Sequence, residues 1–152
     1  MRPGTGRRLG KDDHAALIRW AVECAEHVLP FFVAACPADL RPRAALDAGL
    51  RWAAGEIGMT VLRSAALAAH AAARATEVPA AEAAARASGH AAGVAQVPGH
   101  ARRAAESALK AATAAGGPDA GAIERAWQFR RLPANLRSVA TLSSQNARAR
   151  NS

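Results

Sequence analysis

Residues 65–95 decide the fold, and they read AALAAHAAARATEVPAAEAAARASGHAAGVA. Alanine, the strongest helix former, fills most of this stretch, whereas Val, Ile and Thr, which favour strands, are rare in it. Pro79 divides the stretch, because proline suits the first turn of a helix and disrupts its interior. The stretch therefore predicts two alanine-rich helices and argues against a sheet.

The rest of the 152-residue chain has the same character. Alanine accounts for 44 residues, so a hydrophobic share of 51% includes only 33 large apolar residues. A chain of this length is expected to form one domain. No run approaches the roughly 20 apolar residues that span a bilayer. We predict an all-α protein in the cytoplasm, folded as a single compact bundle of six or seven alanine-rich helices.

Start and stop signals give the predicted helix bounds. Asp12 or Asp13 is expected to cap the first helix, and Pro30, which lacks an N–H, to kink or divide it. The later helices are predicted to begin near Pro42, Thr60, Pro79, His100 and Asp119, and the fifth to stop at Gly116–Pro118.

The large side chains lie mostly outside the alanine-rich middle. All three Trp and all three Phe belong to the first, second and last predicted helices, so we expect one shared aromatic cluster where these helices meet. The predicted core residues are Trp20, Cys24, Phe31, Leu46, Leu50, Trp52, Ile123, Trp127 and Phe129. Cys24 and Cys36 would lie about 18 Å apart on one helix, too far for a disulfide, so both are predicted to be free thiols.

The formal net charge of +8 is concentrated at the two ends of the chain. Residues 1–11 carry +4 and residues 123–152 carry +5, whereas residues 12–122 carry −1. Because the ends lack helical periodicity, we predict disordered segments at 1–11 and 138–152 around a helical domain at 12–137. Non-specific nucleic-acid binding through these basic ends is one alternative function.

The five histidines are the first candidates for chemistry. His90 and His100 each stand in a Gly-His-Ala step, which either brings both imidazoles into one cleft or gives each ring a tight, hydrogen-bonded contact. Cys24 and His27, three residues apart, fit either a metal pair or a buried structural pair. We favour the structural interpretation in both cases. A metal-dependent hydrolase that uses His90, His100 and His27 stays open as the enzyme alternative.

His70 belongs to a different pattern. It shares a helix face with Arg63, Leu67 and Arg74, which predicts a solvated or partner-facing edge. No phosphate loop, nucleophile elbow, dinucleotide fingerprint or His-Glu-x-x-His motif is present. We therefore predict a protein without catalytic residues or cofactor. The predicted partner-binding residues are Arg63, His70, Arg74, His90 and His100.

A series of short segments, in order along the chain, carries a family resemblance. They are Asp13-His14, Trp20-Ala21, Cys24–Pro30, Arg41–Ala44, Trp52, Gly55–Ile57, Ala69–Ala72, both Gly-His-Ala steps, Ala108–Ala111, Glu124–Gln128 and Leu132-Pro133. Over about residues 12–137 the chain resembles a bacterial family of immunity proteins, the immunity-protein-five-like family.

The resemblance implies an all-helical domain from polymorphic-toxin systems that binds and neutralises a cognate toxin. Some relatives carry exonuclease labels, which no nuclease motif in this chain supports. Because the domain is nearly neutral, we do not expect it to mimic nucleic acid as acidic toxin inhibitors do.

Overall fold

Five α-helices and a 3-10 turn make up the part of the chain that the computed structural model describes, residues 9–140. The elements are α1 (Lys11–Ala35), α2 (Arg41–Ala53), α3 (Met59–Arg74), α4 (Pro79–Gly93), α5 (His100–Arg131) and the turn at Ala134–Leu136. The predicted all-α class is confirmed, and residues 9–140 contain no strand. Residues 1–8 and 141–152 lie outside the described residues, so the disorder and nucleic-acid binding expected of these residues stay predictions. The disorder predicted for Lys11 and for residues 138–140 is wrong, because Lys11 begins α1 and residues 138–140 are helical, with Val139 and Ala140 packed against the core.

The composition of α4 accounts for its position at the centre of the bundle. This helix packs against α1, α2, α3 and α5. All of its buried residues are small: Ala81, Ala84, Ala85, Ala87, Ser88, Gly89, Ala91, Ala92 and Gly93. Small side chains let neighbouring helices approach closely. At Gly49 of α2, an added Cβ would lie only 3.6 Å from the Cα of Ala92. The close packing predicted for the alanine and glycine faces is present here.

Two predicted helix breaks have different outcomes. α1 continues from Lys11 to Ala35 with Pro30 inside it, so Pro30 does not divide the helix, and the kink that was the alternative stays a prediction. In α5 the helix breaks at Gly117, whose φ of 87° and ψ of −176° are not helical. Glycine adopts a positive φ without steric cost, so the predicted stop at Gly116–Pro118 is confirmed.

The helix starts differ from the predicted caps. Gly10 precedes α1 and no side chain caps the helix, so the predicted cap at Asp12 or Asp13 is wrong: both residues lie within the first turn. The Asp13 carboxylate instead accepts a hydrogen bond of 3.0 Å from the Asn135 side chain. Likewise α3 begins after Gly58, and Thr60 lies inside it. The Asp13 contact joins the start of α1 to the turn that follows α5.

The predicted core is confirmed in part. Trp20, Cys24 and Leu46 are buried, and Phe31, Trp52 and Trp127 are half-buried at the edge of the core. Leu50, Phe129 and Ile123 are 37%, 49% and 70% exposed, so these three assignments are wrong. In the second half of α5 the inward positions belong to Glu124 and Gln128, which are both buried. Helix geometry then directs Ile123 and Phe129 outward.

The tryptophans do not form one cluster. Trp20 Nε1 donates a hydrogen bond of 2.9 Å to the carbonyl of Gln128. Trp127 stacks on His27 with ring centroids 3.9 Å apart. Trp52 meets His14 edge-on at 5.5 Å. The first and last helices therefore meet, as expected, but through separate contacts rather than a shared aromatic cluster.

Candidate partner-binding face

Three histidines from three helices form a row across α4. His70 of α3 meets His90 of α4 edge-on, with ring centroids 4.8 Å apart. His90 lies 5.7 Å, centroid to centroid, from His100 of α5. We refer to these three side chains as the histidine row. His90 and His100 thus lie side by side, as in one of the two interpretations of the sequence, and His70 joins them.

Sequence spacing accounts for one contact of the row and not for the other. His90 lies three residues before α4 ends at Gly93, and His100 begins α5, so the short turn between these helices keeps the two rings close together. His70 lies four residues before the end of α3, whereas His90 lies eleven residues after the start of α4, so these two are not equidistant from the connecting turn. Their contact depends on how α3 packs against α4, which residue spacing does not reveal.

Two glycines of α4 make room for the outer rings of the row. A Cβ at Gly89 would lie 2.6 Å from Nε2 of His70, and a Cβ at Gly93 would lie 3.1 Å from Nδ1 of His100. A side chain at Gly89 would therefore displace the ring of His70. The close approach expected at the Gly-His-Ala steps is present at Gly89, where the neighbour is a histidine of α3, and absent at Gly99, whose added Cβ would meet nothing closer than 4.0 Å.

Burial keeps the row uncharged at neutral pH. Burial, followed by the charges of the other two histidines and nearby arginines, lowers the pKa of His90 to about 4. Burial also lowers the pKa of His70 and His100. The Nδ1 atoms of His90 and His100 are buried and have no hydrogen-bond partner in the described part of the chain. The carbonyl bonds expected for these two rings are therefore not made through Nδ1.

The residues of the predicted metal alternative do not converge. His27 lies away from the row, and its Nδ1 pairs with Oε2 of Glu124 at 2.7 Å. Within residues 9–140, no group of three or more His, Cys, Asp or Glu side chains has the geometry to hold a metal ion. Cys24 is buried, and burial together with the Glu124 charge raises the pKa of its thiol, which disfavours a thiolate ligand. Cys24 and Cys36 are free thiols, as predicted.

His14 has a structural role at the start of α1. Its Nε2 lies 2.8 Å from the carbonyl oxygen of Val94, and its ring meets Trp52 edge-on. A cavity of about 320 Å³ lies beside these two rings, with Lys11 and Ile57 in its lining. The contact with Val94 ties α1 to the end of α4. Val94 begins the turn between α4 and α5, and His100 follows that turn.

A basic surface with exposed aliphatic side chains adjoins the histidine row. Arg63, Leu67, His70 and Arg74 follow one another along α3 at spacings of four, three and four residues, which places them on one side of the helix. Leu67 is 64% exposed. α3 contains no acidic residue. The predicted partner-facing edge is therefore a continuous stripe along α3.

The turn between α4 and α5 extends this surface. With its amide oriented to satisfy both groups, Gln96 accepts hydrogen bonds from Nε and Nη2 of Arg63 at 2.6 and 2.9 Å. Val97, the next residue, is 52% exposed. Arg103, in the first turn of α5, is close enough to contribute to the lowered pKa of His90 and His100. The turn between His90 and His100 was a candidate surface in the sequence, although Gln96 and Val97 were not singled out within it, and Arg103 was missed because it lies on α5.

We refer to this combined surface as the α3 face. Its members are Arg63, Leu67, Arg74, Gln96, Val97, Arg103 and the histidine row. It contains all five predicted partner-binding residues, whose binding role stays a prediction.

The described residues thus form an all-α bundle with a basic, partly apolar face crossed by three uncharged histidines. The chain belongs to the family described as Imm-5 like putative immunity protein, whose model matches residues 7–135. This match confirms the resemblance seen over about residues 12–137. No curated protein and no solved structure matches the chain. No helix among residues 9–140 is long and apolar enough to cross a membrane.

Proposed function

We propose that this protein is an immunity protein that binds a cognate bacterial toxin and neutralises it without catalysis. The family match carries the proposal, because it extends over residues 7–135 and includes all five α-helices. An immunity family implies a toxin partner in general. In this proposal the protein acts by covering a surface that the toxin needs, and the α3 face makes the contact.

The composition of the α3 face supports a protein partner. Leu67 and Val97 expose more than half of their surface there, and the same face includes three arginines. Protein interfaces combine buried apolar contacts with arginine, which is enriched among the residues that dominate binding energy. A rigid surface also loses less conformational entropy on binding than a mobile one. The helical positions of the α3 residues provide that rigidity.

Co-expression in bacteria tests the proposed function. Each candidate toxin encoded beside this gene is induced with this protein, or with the same gene carrying an early stop codon as the control. We expect the intact protein to restore growth against one candidate and to co-purify with it. Continued growth arrest with every candidate, in cells that contain soluble protein, would contradict the proposal.

A further inference from the structure

We infer that the α3 face recognises an acidic surface of the toxin, in which carboxylates meet the arginines and an apolar patch meets Leu67 and Val97. The inference rests on the proposed function and adds the chemistry of the partner.

The positive charge of the α3 face is not neutralised within the described residues. Arg63, Arg74 and Arg103 form no ion pair with a carboxylate of residues 9–140. The acidic groups on α4 and the first half of α5 are engaged elsewhere: Glu82 pairs with Arg86 at 3.0 Å, and Glu106 pairs with Arg102 at 2.6 Å. Residues 12–122 carry −1 in total, so acidic side chains elsewhere in this range offset the arginines of this face.

Such a local excess of charge creates a field that selects an oppositely charged partner. Complementary charges steer association and suppress binding of the wrong partner. The carboxylates of an acidic partner would meet three arginines that are already exposed and carry no competing ion pair within the described structure. Arg63 is also oriented, because Gln96 accepts two of its hydrogen bonds.

The histidine row adds no charge between these arginines at neutral pH. Burial opposes protonation of His90 and His100, and the charge of Arg103 opposes it further. The face therefore presents separate positive charges beside an uncharged centre. Its complement is a surface with carboxylates around an apolar patch, rather than a uniform array of negative charge.

A nucleic acid is the competing polyanion. Phosphate contacts are made by cations and hydrogen-bond donors, and they gain nothing from exposed aliphatic side chains. Leu67 and Val97, which are 64% and 52% exposed, would stay hydrated beside a phosphate backbone. A protein partner can bury both, so the aliphatic residues favour a protein.

Charge reversal tests the inference on the full chain, with the toxin that the unmodified protein neutralises as the probe. The α3 pair is Arg63→Glu with Arg74→Glu. The matched control is Arg19→Glu with Arg43→Glu, which changes the net charge equally at exposed positions of α1 and α2. Circular dichroism and urea unfolding establish that each variant folds. Arg74→Glu alone replaces the α3 pair if the double variant does not fold.

We expect the α3 pair to raise the Kd for the toxin at least about 30-fold at low ionic strength, and the control to change it less than about threefold. The difference should shrink in high salt, because exposed charges are screened. Leu67→Ala should raise the Kd about tenfold at every salt concentration, as expected for an apolar contact in an interface.

The outcomes separate the two proposals. If the unmodified protein protects growth but the α3 pair binds the toxin equally well, the inference is overturned and the proposed function stands. If the unmodified protein neutralises no candidate toxin, the proposed function is overturned and the inference with it. A 20-base-pair DNA duplex serves as the second probe. Duplex binding that the α3 pair abolishes while toxin binding persists would assign the face to nucleic acid and overturn the inference.

Discussion

Replacing Gly89 with alanine tests directly whether glycine is needed for the histidine row. The added Cβ would lie 2.6–2.8 Å from three atoms of the His70 ring. The ring has His90 beside it, with centroids 4.8 Å apart. The His70 side chain must therefore move away from α4, or α3 and α4 must separate.

Two opposing effects give the expected magnitude. Overpacking in a well-packed region costs about 1–3 kcal/mol. Alanine in place of glycine inside a helix contributes roughly 0.5–1 kcal/mol of stability. Gly89→Ala should therefore lower the free energy of unfolding by about 1 kcal/mol. In a protein that already carries His70→Ala the clash is absent, so Gly89→Ala should instead stabilise it by roughly 0.5–1 kcal/mol.

Urea unfolding, followed by circular dichroism at neutral pH, measures this double-mutant cycle. We expect a coupling energy of about 2 kcal/mol between the two substitutions. Gly49→Ala is the matched control, because its Cβ would make ordinary contacts of 3.6–3.8 Å with α1 and α4. Additive effects of the Gly89 and His70 substitutions, or equal stability of Gly89→Ala and Gly49→Ala, would refute the steric interpretation.

Three further predictions concern protonation, the contact between His27 and Glu124, and the thiols. An unfolded chain protonates His90 near pH 6.5 and the native protein only near pH 4, so stability should fall by about 1–2 kcal/mol as the pH drops through this window. His90→Gln should reduce that loss in urea unfolding at pH 7 and 4.5, and an unchanged loss would contradict the assignment. His27→Ala should cost about 1–3 kcal/mol by leaving the Glu124 carboxylate, only 5% exposed, without this partner. Adding Glu124→Leu to His27→Ala should recover part of the lost free energy of unfolding, measured in urea. A further loss of stability would contradict the cost assigned to the buried carboxylate. Ellman's reagent should label Cys36 in the native protein and Cys24 only in denaturant, because Cys24 is buried; equal native rates would contradict this.

The helix pattern was predictable because its signals are local. Pro42 and Pro79 lie in the first turns of α2 and α4, where a missing N–H costs little. The break at Gly117 follows from two glycines before a proline. Pro30 differs because the neighbouring Leu29 and Phe32 are buried, and their packing holds the helix together across the lost hydrogen bond.

The core was less predictable because side-chain size is a poor guide where polar groups find partners. Gln128 is only 3% exposed, and its side chain donates a hydrogen bond of 2.8 Å to the carbonyl of Ala105. Glu124 pairs with His27. These polar contacts, made between distant parts of the chain, place Ile123 and Phe129 on the outside of α5. The periodicity of apolar residues along the helix cannot reveal such polar contacts.

The α3 face was predictable from the sequence in part. The stripe along α3 follows from residue spacing on one helix, so Arg63, His70 and Arg74 were recognisable in the sequence. The contact between Arg63 and Gln96, and the position of Arg103, depend on how α3 and α5 pack beside α4. Their inclusion in the face therefore required the tertiary arrangement.

The alanine content and the histidine row have a common physical basis. An abundance of alanine and of arginine over lysine, 18 to 2, is typical of a GC-rich coding sequence. On α4, however, alanine and glycine are also required sterically, because neighbouring helices cover this helix on several sides. Larger residues at its buried positions would cost about 1–3 kcal/mol each through overpacking. They would also separate α3 and α5 from α4, and the three imidazoles would lose contact. Whatever its origin in the genome, the small-residue surface of α4 is what allows histidines from three helices to meet.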